Sequence, residues 1–255
     1  LVRRPLLARM LIFLADVQDL PTDTTALYTD YLNRLATVTD QRVKGAGCDV
    51  VKSSMTVWRI LSWRVFTNGF NAEAMPLDRL VPEISREYNT SAECLTRAIA
   101  GIVNFGADND AGFVHYSFYE FLVAQYLAER LSAAVSADPL AASRLLAKDL
   151  TSEVRHHLMR LLRRTVLDIH NWPTYLATVY RKAGELEQAE SRTVRNLIAY
   201  IACRLDVPAD GPLLELLDGE SDPFLRNSLL WALARLDNRD ALRTYLEELK
   251  ADDVL

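Results

Sequence analysis

Residues 101–117 read GIVNFGADNDAGFVHYS, and they carry the signals that distinguish this fold from a purely helical one. Two runs of residues that favour β-strands, 102–105 and 113–116, flank the segment GADNDAG. Glycine, asparagine and aspartate in such a segment favour a turn. The pattern predicts a β-hairpin with strands at residues 102–105 and 113–116. A hairpin that follows three helices is the element order of a winged helix.

Helical periodicity dominates the rest of the chain. Apolar residues recur at helical spacing before the hairpin and directly after it, in segments 5–19, 25–42, 50–67, 77–88, 93–100 and 117–131. From residue 138 onward, helices of about ten to fifteen residues follow one another through short turns, which is typical of a HEAT-type α-solenoid.

These patterns predict a mainly α fold with three domains. The first is a small helical domain in residues 1–48. The second is a winged-helix domain with one small β-hairpin in residues 49–135. The third consists of HEAT-like α-solenoid helix pairs in residues 136–255.

Composition excludes some partners. The chain has 29 Lys and Arg against 34 Asp and Glu, so its formal net charge is −5. A chain of this charge has no overall positive field that would attract nucleic acid or an anionic membrane. No stretch approaches the ~20 consecutive apolar residues of a transmembrane helix. We therefore expect no membrane partner.

The cysteines and paired histidines argue against metal binding. Cys48, Cys94 and Cys203 are odd in number, lie far apart and form no CxxC motif, which predicts reduced thiols in a cytoplasmic protein and no structural zinc. His156 and His157 are adjacent on a predicted helix, so their side chains point about 100° apart and cannot chelate one ion together. Surface or boundary positions are expected for both.

The hairpin carries a histidine at an unusual place. His115 lies between two apolar residues, two positions before the predicted helix start at Ser117. Ser117 and Glu120 fit a capping box at that start. His115 has two interpretations. It is either a buried core histidine whose ring is satisfied by the backbone, or a donor directed at a phosphate bound near the helix N-terminus.

No catalytic set is apparent. Segment 45–53 has a superficial likeness to a phosphate-binding loop, but Ala46 and Val51 occupy the two places where that loop needs glycine. The sequence contains no Walker A or B motif and no Ser/His/Asp or Cys/His arrangement at suggestive spacing. We therefore predict that this chain is not an enzyme by itself and that it has no catalytic residues.

The segment FVHYSFYEFLVAQYLAERL at residues 113–131 resembles the signature that closes the winged-helix domain of NACHT-type STAND NTPases. That signature has the order apolar-x-His-x-Ser-Phe-x-Glu-Phe, and all of its named positions are present here. The order of the flanking segments is also similar, with RRPLLARMLIFLAD and LPTDTTALYTDYLNRL resembling the helical domain that follows the nucleotide-binding core in that family.

The resemblance implies roles for two residues. His115 matches the winged-helix histidine that contacts the β-phosphate of bound ADP and holds the protein closed. Pro5 matches the proline that packs on the adenine ring. Nucleotide-binding residues are therefore expected at His115 and Pro5, with ATP or ADP and Mg²⁺ bound only in a full-length parent, because the family's Walker motifs and sensor arginine lie upstream of the region matched here.

The implied function is the regulatory segment of a NACHT/STAND NTPase that couples nucleotide state and ligand sensing to oligomerisation, in bacterial antiphage defence or signalling. Since the chain starts at Leu1 without a methionine, we expect it to be cut out of a longer protein. The expected partners are an upstream nucleotide-binding domain, other protomers on activation and a protein trigger on the solenoid.

Two other functions stay open at this point. One is a stand-alone helical scaffold that binds protein through its solenoid. The other is a winged-helix regulator that reads DNA with the predicted helix 77–88, although the acidic residues Asp78, Glu83 and Glu87 outnumber Arg79 and Arg86 there. An acidic helix is unfavourable in a DNA groove because phosphate contacts dominate affinity.

Overall fold

A computed structural model describes residues 5–15, 21, 23–48, 53–106, 111–134, 138–165, 172–205, 211–236 and 238–252. The elements in chain order are α1 (Pro5–Phe13), α2 (Thr24–Gly45), α3 (Ser54–Thr67), α4 (Leu77–Tyr88), α5 (Ala92–Ile99), β1 (Val103–Phe105), β2 (Ala111–Phe113), α6 (Tyr116–Ala134), α7 (Pro139–Leu146), α8 (Ser152–Thr165), α9 (Trp172–Ala183), α10 (Gln188–Arg204), α11 (Pro212–Gly219), α12 (Pro223–Arg235) and α13 (Arg239–Asp252). The predicted fold class, mainly α with one small β-hairpin, is confirmed.

The chain forms two compact units. The first contains Leu1–Tyr126 and Thr151–Leu158, and the second contains Leu127–Leu150 and Met159–Leu255. The predicted division into three domains stays a prediction. Among the described residues, no helix combines the length and the apolar character needed to cross a membrane.

The core of the first unit lies between α2, α3 and α5, which contact one another. Trp58 of α3 is fully buried there, and its indole N–H donates to the Ala98 carbonyl of α5 at 2.7 Å. Side-chain caps fix the helix starts. Asp23 accepts from the Ala26 amide at the start of α2, and Ser91 accepts from the Cys94 amide at the start of α5.

The predicted hairpin is confirmed, but its second strand lies earlier in the sequence than predicted. β1 and β2 are antiparallel, with Val103 opposite Phe113. β2 ends at Phe113, so the predicted strand 113–116 is wrong beyond its first residue. Residues 107–110 of the predicted turn lie outside the described residues. The segment before α4 also pairs with β2, through an isolated antiparallel bridge between Met75 and Ala111.

This additional pairing explains why position 112 is a glycine. A Cβ atom built on Gly112 would lie 2.4 Å from the carbonyl oxygen of Glu73. The Glu73 backbone is held on both sides, because Ala72 accepts from the Phe113 amide and the Met75 amide donates to Ala111. The Glu73 backbone therefore lies too close to β2 for any side chain to fit at position 112.

We expect Gly112→Ala to lower the free energy of unfolding by about 1–3 kcal/mol, the usual cost of overpacking. Urea unfolding followed by circular dichroism measures this loss. Gly45→Ala is the matched control, because a Cβ at Gly45 meets nothing within 4 Å. Gly45 lies in the last turn of α2, so alanine there is expected to be neutral or slightly stabilising. Equal losses in the two variants would contradict the close approach at Gly112.

The second unit is a succession of contacting helices. Within it α7 contacts α9, α9 contacts α10 and α11, α10 contacts α12, and α12 contacts α13. Asp138 and Asp222 cap α7 and α12, and a proline occupies the first turn of each. Stacked helix pairs would make contacts of this kind between helices close in sequence, and the HEAT-like solenoid stays a prediction.

The prediction of three reduced thiols is wrong for two of them. Cys48 and Cys94 form a disulfide with their Cα atoms 5.5 Å apart, and it joins the end of α2 to the first turn of α5. Cys203 is free and buried. The two bonded cysteines are 46 residues apart in sequence, so no local spacing motif indicates their pairing.

Candidate functional site

His115 lies between β2 and α6, and its side chain is exposed. The structure therefore contradicts the core-histidine interpretation. Ring atom Nδ1 accepts a hydrogen bond from the Ser117 amide at 3.2 Å, and the His115 carbonyl accepts from the Phe118 amide at 3.0 Å. His115 itself thus satisfies amides at the start of α6.

The predicted capping box of Ser117 and Glu120 is wrong. Because His115 supplies the capping acceptor, α6 begins at Tyr116 and Ser117 already lies inside its first turn. Glu120 is buried, and its carboxylate accepts from the Thr151 hydroxyl at 2.8 Å. Thr151 Oγ1 in turn accepts from the Val154 amide at 3.2 Å. Glu120 therefore supports the residue that caps α8.

Burial raises the pKa of Glu120, and the hydrogen bond from Thr151 partly opposes that rise. A carboxyl whose pKa is raised in the folded state contributes stability that is fully present below its ordinary pKa of 4.5 and is lost as the pH rises through the raised value. The ionised form at neutral pH is therefore the less stable one in this environment.

We expect Glu120→Gln to be more stable than the wild type at pH 7 and equal to it near pH 4, because the amide mimics the neutral acid. Thermal unfolding at several pH values measures the difference. Glu153→Gln is the control with the opposite sign, since a hydrogen bond from Ser152 lowers the pKa of Glu153. A gain for Glu120→Gln that does not vary with pH would contradict the assignment.

A hydrogen bond connects the His115 site to α2. The Ser117 hydroxyl lies 2.5 Å from His115 Nδ1 and 2.7 Å from the Tyr28 hydroxyl, which donates to it. The Tyr28 ring is buried and makes an edge contact with Phe118. The exposed histidine is therefore connected to two packed aromatic residues, Tyr28 of α2 and Phe118 of α6.

A second histidine, His157, also contacts Tyr28. The His157 ring packs edge-on against Tyr28 and Phe121, and its Nδ1 lies 2.9 Å from the Thr25 hydroxyl. His157 is buried, so the expectation of a surface or boundary position is wrong for it, whereas His156 is exposed. The helical period of α8 places His157 on the face with Val154 and Leu158, and this is the sequence signal that could have indicated burial.

Exposed apolar side chains accompany His115 along the chain. Val114 and Tyr116 are 46% and 44% exposed on either side of it, and Phe105 at the end of β1 is 51% exposed. Isolated apolar residues on a surface are ordinary, but three such residues on the hairpin and the adjoining helix start favour a contact surface.

The second predicted site residue, Pro5, is the first residue of α1. Its side chain lies outside the described part of the structure. Helix α1 contacts α2 through Phe13, whose ring packs edge-on against Tyr31 at 5.1 Å. Pro5 and His115 thus belong to elements that both pack on α2, and a shared ligand stays a prediction.

Helix α4, the candidate DNA-reading helix, has two of its three acidic residues in salt bridges. Arg64 of α3 forms salt bridges with Glu83 at 3.4 Å and with Glu87. The Arg79 guanidinium lies over the Phe70 ring. With these contacts formed, α4 does not present a row of basic side chains that would match a phosphate backbone.

The arrangement at His115 suits an anion better than a cation. Nδ1 accepts from Ser117, and in the part of the chain that the structure describes no hydrogen bond engages Nε2. An N–H donor beside the positive end of a helix dipole favours phosphate or carboxylate. Among the described residues, no group of three or more His, Cys, Asp or Glu side chains is placed to hold a metal ion.

Comparison with known proteins adds no assignment. No protein-family model, no curated protein and no solved structure matches this chain. A functional conclusion therefore depends on the residues of the site and on the sequence resemblance described above.

Proposed function

We propose that this chain is the regulatory segment of a NACHT-type STAND NTPase and that it couples nucleotide state to oligomerisation. The observation that carries the proposal is His115, an exposed histidine at the start of α6 with Nδ1 engaged and no described partner on Nε2. It occupies the histidine position of the motif in residues 113–131. A sensor histidine requires this combination of exposure and a fixed ring.

In this proposal His115 donates a hydrogen bond to the β-phosphate of ADP held by an upstream nucleotide-binding domain. The exposed imidazole and the adjoining helix start fit a phosphate group. Pro5 would pack on the adenine ring. Mg²⁺ and the groups that hydrolyse ATP would belong to the upstream domain. This chain's own contribution is to favour the closed, ADP-bound conformation over the open one.

The second unit would carry the sensing function. Stacked helix pairs form extended surfaces that suit protein ligands, and a trigger bound there would favour the open conformation. Open protomers would then associate with one another. In keeping with the resemblance, we place the protein in the cytoplasm and assign it to bacterial antiphage defence or signalling.

The first test is the coding sequence upstream of Leu1, where a nucleotide-binding domain with Walker A and B motifs is expected. In the full-length protein we then expect His115→Ala to remove a hydrogen bond worth about 1–3 kcal/mol from the ADP-bound state alone. Retention of ADP should fall by about five- to a hundredfold, with spontaneous assembly rising. Filter-retained radiolabelled ADP and size-exclusion chromatography measure the two effects.

His156→Ala is the matched control, because it removes an exposed histidine from α8 in the same unit. It should leave ADP retention and assembly unchanged. If His115→Ala also left ADP retention unchanged while lowering thermal stability, the capping role of His115 would be its only role.

A stand-alone protein-binding scaffold is the second candidate. It is favoured by exposed apolar side chains in the second unit, where Phe224 of α12 is 48% exposed and Leu242 and Leu246 of α13 are 43% and 47% exposed. Absence of any nucleotide-binding domain upstream of Leu1 would favour this scaffold over the NTPase segment. Substituting Phe224 would then weaken partner binding while substituting His115 would not.

A further inference from the structure

The ring of His115 belongs to a hydrogen-bonded chain that has a direction. The Ser117 backbone N–H is a donor only, so the ring atom that it approaches, Nδ1, must be an acceptor. The Ser117 hydroxyl lies closer to the same atom, at 2.5 Å, and with Nδ1 as an acceptor this hydroxyl is the donor of the contact. With its single proton directed at His115, the Ser117 oxygen accepts from Tyr28 at 2.7 Å.

The direction of these hydrogen bonds determines which nitrogen of the His115 ring carries the proton. A neutral imidazole carries one N–H, and the atom that bears it is set by the hydrogen bond that the other nitrogen makes. Because Nδ1 accepts from Ser117, the proton is on Nε2. His115 then offers an outward N–H donor to an anion, whereas the opposite tautomer would offer a lone pair that repels one.

Tyr28 is well placed to hold this arrangement. Its side chain is 5% exposed, and its ring packs against Phe118 and stacks on Phe121 at 5.4 Å. The hydroxyl that reaches Ser117 therefore comes from a ring with little freedom to move. Ser117 is 89 residues away in sequence, so the chain of hydrogen bonds ties α2 directly to the start of α6.

We infer that Tyr28 and Ser117 are positioning residues that hold His115 as its Nε2–H tautomer and aim this donor at the nucleotide phosphate. The inference rests on the proposed function for its ligand. Its structural part concerns this chain alone and can be measured without any nucleotide.

The structural test is a long-range ¹H–¹⁵N correlation spectrum of the chain labelled at histidine. Only four histidines contribute signals, and the spectrum of His115→Ala identifies the one in question. At a pH where the ring is neutral we expect His115 to carry its proton on Nε2. Tyr28→Phe keeps the packed ring but removes the donor, and it should change the Nδ1 shift. A proton on Nδ1 in the wild type would overturn the inference.

The matched control is Tyr31→Phe, the same chemical change three residues along α2. Tyr31 stacks on Phe118 at 5.6 Å, so it shares the aromatic surroundings of Tyr28. It should leave the His115 signals unchanged. Equal effects from Tyr28→Phe and Tyr31→Phe would show that ring packing alone is responsible and would overturn the inference.

The functional test is ADP retention in the full-length protein. Tyr28→Phe and Ser117→Ala should each lower retention by about two- to tenfold, the value of one net hydrogen bond, and Ser117→Thr should restore it. In the His115→Ala background neither substitution should have a further effect, because residues that act through His115 cannot act without it. Additive losses would indicate a merely structural role and overturn the inference.

The outcomes separate this inference from the proposed function. If His115→Ala lowers ADP retention and Tyr28→Phe does not, the positioning role fails and the proposed function stands. If His115→Ala leaves ADP retention unchanged, the proposed function is wrong. The inferred hydrogen bond from His115 Nε2–H to a nucleotide phosphate is then wrong as well.

Discussion

Replacing Trp58 by alanine is expected to lower the free energy of unfolding of the first unit by about 3–5 kcal/mol, the usual cost of deleting a buried tryptophan. Trp58 of α3 is completely buried where this helix contacts α5. The substitution leaves a large cavity and removes the donor from the Ala98 carbonyl, which accepts the indole N–H at 2.7 Å. Both losses act at the same point of the core.

Urea unfolding of the wild type and of Trp58→Ala measures this effect. A chain with two compact units need not unfold in a single step, so hydrogen exchange of the α3 amides assigns the loss to the first unit. Trp63→Ala is the matched control on the same helix. Trp63 is only half-buried and stacks on Tyr126, so its loss should be less than half as large. Similar losses for the two variants would contradict the central place of Trp58.

The second large effect is expected at Glu220, which lies before α12. Its side chain is 4% exposed, and its carboxylate accepts from the Tyr180 hydroxyl at 2.5 Å and pairs with Arg195 at 3.3 Å. Its second oxygen accepts from the Asp222 amide at 2.9 Å. One buried carboxylate thus joins α9, α10 and the start of α12.

Glu220→Ala is expected to cost about 2–4 kcal/mol, because it leaves a tyrosine hydroxyl and a guanidinium without their acceptor. Arg195 is 24% exposed, so water offsets part of its loss. Glu215→Ala is the control. Glu215 pairs with Arg181 at the surface, and an exposed pair is worth about 0–1 kcal/mol. Urea unfolding compares the two, and a loss at Glu220 no larger than that at Glu215 would contradict the buried cluster.

The same cluster predicts a response to alkaline pH. Burial raises the pKa of Tyr180 well above its ordinary value of 10.0, and the hydrogen bond to Glu220 raises it further. A group that holds its proton more tightly in the folded state loses this stabilisation as the pH rises above its unfolded pKa. Stability of the second unit should therefore fall above about pH 10, and this fall should be smaller in Tyr180→Phe.

Features that depend on neighbouring residues could be predicted from the order of amino acids alone. Apolar periodicity placed α2 to within a few residues of its observed ends, and the glycine-rich turn between two β-compatible runs predicted the hairpin. Asp138 before a proline indicated the start of α7. Local preferences of this kind depend on contacts within about one turn or one strand pair, so they are visible in the printed order of residues.

The candidate site was likewise predictable only in part. The position of His115 before a helix, its likeness to a family motif and the phosphate hypothesis came from the sequence. Its exposure, its place as the cap of α6 and its link to Tyr28 did not. The sequence pattern favoured Ser117 as the cap, because a serine followed three residues later by a glutamate is the usual signature.

The partners of the polar side chains in the first unit depend instead on how its helices pack. Ser117 meets Tyr28 across 89 residues, Glu120 meets Thr151 across 31, and His157 meets Thr25 across 132. The disulfide between Cys48 and Cys94 spans 46. Such pairs form because packing of apolar faces brings distant helices together, and a buried polar group must then bond to whichever partner that packing supplies.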